Sequence, residues 1–119
     1  MTVKLSQRSY EHAQNLIKEG RFVYDERGDW SEHQPSAQEE NEFIEAHGWD
    51  EFGRWHLGVD TDRGPETKAR YSFPYGDFHD VHRCGVLSAE SRAAQNDHGD
   101  IEAAAAHLHG MLEAVGAAR

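Results

Sequence analysis

Apolar positions follow two periods along this chain, and the period changes where the turn-forming residues cluster. Tyr10, Ala13, Leu16 and Ile17 fall at helical spacing and predict a first helix from Ser6 to Glu19, stopped by Gly20. The R-F-V-Y run at Arg21–Tyr24 fits a short strand or the start of a loop. Asp25 to Pro35 has no period and reads as a loop, with Trp30 as its one large apolar residue. Ser36 and Glu39 stand at capping-box spacing, so a second helix is predicted over Ala37–His47, stopped by Gly48. Phe43 and Ile44 give it a narrow apolar face.

The period then shortens to two. Trp55, Leu57 and Val59 alternate with polar or small residues, and so do Ala69, Tyr71 and Phe73. With the turn-rich D-T-D-R-G-P-E-T between them, Arg54–Val59 and Lys68–Phe73 predict an antiparallel hairpin, which Pro74 and Gly76 end. A third helix is expected from Phe78 or His82 to Gln95. Asp100 then caps a last helix carrying the clearest stripe in the chain: Ile101, Ala104, Ala105, Leu108, Met111, Leu112 and Val115. Gly116 stops it, and Ala117–Arg119 are expected to fray. Both last helices are rich in Ala, Gly and Ser, which lets two axes approach closely in an antiparallel helical hairpin. The expectation is α+β: a small antiparallel hairpin of two or three strands, packed by helices, with a C-terminal helical hairpin. At 119 residues the chain fits one domain.

Composition removes several classes. No apolar run approaches a membrane span, and the N-terminus M-T-V-K-L-S-Q-R-S-Y lacks the apolar core of a signal peptide. The one cysteine, Cys84, cannot form an internal disulfide, so a cytoplasmic setting is expected. A net charge of −10 argues against general nucleic-acid binding. That charge is local. From Asp25 to Glu66 there are thirteen acids and three bases, and elsewhere nine of each. The same stretch holds Trp49, Phe52 and Trp55, with Glu39, Glu40 and Glu42 nearby. Aromatics exposed among carboxylates would suit a basic protein surface. The expectation is a non-enzymatic interaction module that meets a basic partner through 25–66.

The order W-H-L-G-V-D, R-Y-S-F-P-Y-G-D, V-H-R-C-G-V-L-S-A-E-S-R-A-A-Q and D-I-E-A-A-A-A-H-L over 54–115 resembles small bacterial domains of unknown function, found in actinobacteria and in phage-related proteins. The resemblance implies a strand pair followed by two Ala-rich helices. It also implies a phage-related accessory or structural role, and it carries no mechanism.

Two other stretches could carry chemistry. Arg70 to Arg83 gathers Arg70, Tyr71, Tyr75 and Arg83 around a Pro-Tyr-Gly-Asp turn, and would make the rim of a small-ligand pocket or of a metal-dependent enzyme. Nine histidines raise the question of metal, with His79, His82 and Cys84 the nearest to a ligand set. Their spacing is not a standard zinc spacing, and the predicted helical hairpin puts His82 opposite Ala114, away from other histidines. Surface or capping histidines are the expectation, and Cys84 is expected to be a small packing residue. No phosphate loop, dinucleotide fingerprint or H-E-x-x-H is present, and no cofactor is predicted. The last helix fits packing within the chain or across a homodimer.

Overall fold

A computed structural model describes residues 3–116. The predicted α+β architecture is present, with a third strand. β1 (Val3–Leu5) lies against β3 (His56–Asp60), and β3 pairs with β4 (Tyr71–Pro74), giving an antiparallel sheet in the order β1-β3-β4. Lys4 sits opposite Val59, and Gly58 opposite Ser72. Lys68–Arg70, read from its alternation as strand, is a short 3-10 turn whose Thr67 hydroxyl accepts from the Ala69 amide.

α1 (Gln7–Lys18) buries Ala13, Leu16 and Ile17 against this sheet and the C-terminal helices. The Ser36 capping box forms at the start of α3 (Ala37–Gly53): the Ser36 hydroxyl accepts from the Glu39 amide, and the Glu39 carboxylate accepts from the Ser36 amide. Gly48 breaks the helical backbone as predicted, at φ 89°, but α3 resumes beyond it and buries Phe52. A positive φ is costly for a residue with a Cβ, so glycine is what makes this bend cheap.

α4 (Arg83–Gln95) and α5 (Gly99–Gly116) form the predicted pair. Arg83 reaches Glu113 at 2.6 Å and His109 meets Glu90 at 3.1 Å, so the two run antiparallel. Ala89, Ala93, Ala104 and Ala105 are all buried, as close approach of the axes requires. Ile101, Leu108 and Leu112 complete a core with Trp55, Leu57, Phe73 and Tyr75. Ala117–Arg119, expected to fray, lie outside the described residues. Among those described, no helix is long and apolar enough to cross a membrane.

A second pairing was not legible in the sequence. β2 (Phe22–Val23) runs parallel to β5 (Val81–His82), with Phe22 opposite Val81 and Val23 opposite His82. Because β5 occupies this position, α4 starts at Arg83, next to the later of the two predicted starts, with His82 as its N-cap residue.

His56 lies buried against Phe52 and Tyr71, and its Nδ1–H donates to the Phe52 carbonyl. Burial lowers its pKa from 6.5 to about 4. As pH falls below 6.5 the unfolded chain takes up a proton here that the folded chain refuses until near 4. The stability from this residue is complete above that window and declines through it, by about 3 kcal/mol in total. Denaturant titrations across the window should show this decline, and His56→Asn should lose that part of the slope.

Candidate metal centre

The parallel pairing sets the site. Carried two residues beyond Val23 and His82, its register brings Asp25 beside Cys84 at the start of α4. The N-cap residue His82 offers that helix no side-chain cap. Asp25 supplies one from a distant part of the chain, its Oδ1 accepting from the Cys84 amide at 2.7 Å. Its backbone carbonyl accepts from Arg83 at 3.0 Å.

Three further donors converge on the other carboxylate oxygen. Asp25 Oδ2 accepts from His33 Nδ1 at 2.8 Å, from His82 Nδ1 at 2.7 Å and from Cys84 Sγ at 3.0 Å. His33 comes from α2 (Trp30–His33), a short helix inside the stretch read as a loop. Trp30 is buried, its indole packed beside the His82 ring. One potential ligand atom from each of Asp25, His33, His82 and Cys84 thus lies within 4.8 Å of all the others. His82 is held from behind: its Nε2 donates to Asp77 Oδ2 at 2.9 Å. Asp77 in turn accepts from the amides of His79 and Asp80.

Charge follows from these contacts. Burial works to raise the pKa of Asp25, but hydrogen bonds from the Cys84 thiol and amide, His82 and His33 overcome it and lower the value to about 2. Burial also opposes ionisation of Asp77, and the His82 bond with the two amides still draws it below the ordinary carboxylate range. His82 loses by desolvation and gains more from Asp77 and Asp25, so its pKa is raised. Burial and the Asp25 carboxylate together push the Cys84 thiol well up. That direction is wrong for a nucleophile, which needs a thiolate stabilised near neutral pH. A divalent cation among these atoms would stabilise the thiolate that Asp25 alone disfavours.

Of the predicted metal residues, His82 and Cys84 belong to the cluster and His79 does not. The His79 side chain is exposed, and only its backbone takes part, through Asp77 and Arg21. The expectation that His82 lies away from other histidines is corrected: its ring centroid is 5.4 Å from that of His33. The helical hairpin gathers no histidine shell; the shell is closed by Asp25 and His33 from outside it. Cys84 is buried, as expected of a small packing residue, and its thiol in addition donates to Asp25 Oδ2.

Other candidates separate. Phe52 and Trp55 are core residues, and Trp49 is half-buried with its ring edge-on to Phe52. They would be anchors only if exposed, and Phe52 and Trp55 are buried while Trp49 is partly covered. Tyr75 is fully buried, its hydroxyl donating to the Arg54 carbonyl, so it lines no rim. Arg70 donates to the Arg63 carbonyl and Tyr71 to the Pro65 carbonyl, while Arg83 is engaged by Glu113 and Asp25. The stretch 70–83 is therefore not one rim. Glu39 is committed to its capping box and Glu40 pairs with Lys68 at 3.2 Å, leaving Glu42 exposed. Glu39 and Glu42 line a cleft of about 710 Å³ that reaches the cluster through His33 and Asp77.

No protein-family model, curated protein or solved structure matches this chain.

Gly85 allows α4 to start so close to the core. A Cβ there would come within 2.9 Å of the Tyr75 carbonyl oxygen and 3.0 Å of the Trp30 indole. Gly85→Ala should cost about 1–3 kcal/mol of stability by overpacking, measured by denaturant unfolding against the parent chain.

Proposed function

We propose that Asp25, His33, His82 and Cys84 bind one zinc ion, and that the chain is a zinc-stabilised binding module. The observation that carries this is the convergence of three donors on the single atom Asp25 Oδ2. A carboxylate oxygen offers two lone pairs, and three donors crowd it. With zinc the crowding is relieved, because each of those atoms turns a lone pair to the ion. One thiolate, one carboxylate and two neutral imidazoles balance a divalent charge and match zinc's preference for nitrogen and sulfur. Calcium and magnesium, which prefer oxygen, fit the donor set poorly. Asp77 behind His82 is the carboxylate partner that orients a ligating histidine. Four protein ligands make a closed site, so the role is structural: the ion ties the 25–33 segment to the start of α4.

The tied segment borders the cleft, where Glu39, Glu42, Glu51 and Asp77 face one guanidinium, Arg21. This balance supports a cationic partner such as a basic peptide, now with the cleft rather than exposed tryptophans as the receiving surface.

Elemental analysis of protein prepared without a tag should give one zinc per chain, lost in Cys84→Ser and His82→Ala and kept in His79→Ala. Cobalt exchanged for zinc should show a thiolate-to-metal charge-transfer band that Cys84→Ser removes. A parent chain that takes up no more metal than Cys84→Ser would overturn the site. For the cleft, an oligolysine peptide should bind the zinc-loaded protein more weakly as salt rises and in Glu42→Lys. Binding indifferent to both would exclude this surface.

A further inference from the structure

A second concavity, of about 400 Å³, adjoins Cys84, and its chemistry is the reverse of the cleft's. Arg27, Arg92, Ser31, Ser88 and Gln34 line it, and no carboxylate does. In a chain of net charge −10 that composition is unexpected. The arginines differ from most of their kind here. Apart from Arg70, the other described arginines each hold a carboxylate within 4.0 Å. Arg27 and Arg92 have no carboxylate partner among the described residues. Arg27 donates to the Ser91 hydroxyl at 3.2 Å, and the Arg92 guanidinium lies 5.7 Å from the Phe73 ring centre. Each contact orients a guanidinium and leaves most of its five donors free.

The helix builds one wall in register. Cys84, Ser88 and Arg92 follow at four-residue spacing along α4, so they share one face. Arg27 and Ser31 face it from the segment that Asp25 and Trp30 hold in place. The residues that line the concavity therefore include two exposed arginines, two serines and a glutamine, and their side chains can all donate.

We propose that this concavity binds a phosphate dianion, free or as the phosphoryl group of a monoester, between Arg27 and Arg92. Two guanidiniums match the charge of the dianion, and Ser31 and Ser88 supply neutral donors for its remaining oxygens. The proposal does not depend on the ion at Asp25.

Calorimetric titration of the full chain with inorganic phosphate and with phenyl phosphate, at constant ionic strength set by chloride, tests it. Saturable one-to-one binding is expected for at least one of the two. Phosphate alone would assign a free-anion site, and phenyl phosphate as well would admit monoesters. Arg27→Gln and Arg92→Gln should each weaken binding by about tenfold or more, the loss of a charge-assisted contact. Arg92→Gln should keep the zinc content of the parent chain, which separates this site from the metal centre. Circular dichroism of both variants should match the parent. Absence of saturable binding of either ligand, or binding unchanged in the Arg27→Gln/Arg92→Gln double variant, would overturn the proposal.

Discussion

A single carboxylate, Asp25, stands where α2, β5 and the start of α4 meet. It is buried, and a buried carboxylate is costly unless its charge is matched by donors. Here the donors come from every element around it: the Cys84 amide and thiol from α4, His82 from β5 and His33 from α2. The start of α4, the placement of α2 and the pairing of β2 with β5 are therefore coupled. Removing this carboxylate would leave an uncapped helix end and two histidines without their shared acceptor.

The surrounding packing serves that meeting point. Gly85 lets α4 begin against the Tyr75 backbone, and the Trp30 indole closes over the same spot. Trp55 and Phe52, which would serve as surface anchors only if exposed, are buried and both pack against the Phe78 ring. The acidic charge that singled out 25–66 resolves into separate roles. Asp25 is inside the site, Glu39 caps a helix, Glu40 pairs with Lys68, and Glu42 faces the cleft.

The helices α1, α3, α4 and α5 and the β3–β4 pairing were legible because each carries its own period or capping signal within a few residues. The stripe of α5 and the Ser36 capping box are local physics; the box appears as expected, and the stripe is buried as far as Leu112 and leaves Val115 exposed. The site was legible only in part. H-x-C at His82–Cys84 was visible as a pair of ligand types, but its partners lie far away in sequence. The two-residue strand β2 is too short to show a period, and parallel pairing leaves no turn signature between the strands. Asp25 and His33 sat in a stretch that reads as solvated loop. The hint available was Trp30 between them, a large apolar residue with nothing local to pack against. Lys68–Arg70 shows the opposite failure, where alternation of residue types was satisfied by a 3-10 turn.

The parallel pair has a thermodynamic consequence. Joining Asp25 to Cys84 closes a loop of |i−j| 59. The length-dependent part of closing such a loop is on the order of 4 kcal/mol. In the folded chain the sheet and core have already met this cost, so the four side chains are assembled in advance. In the unfolded chain the same side chains form two separated pairs, D-x7-H and H-x-C, and any agent that bridges them must bear the closure itself. An ion held at this point therefore discriminates the folded chain from the unfolded one by its topology as much as by its donors, and it strengthens the fold by mass action wherever the ion is plentiful.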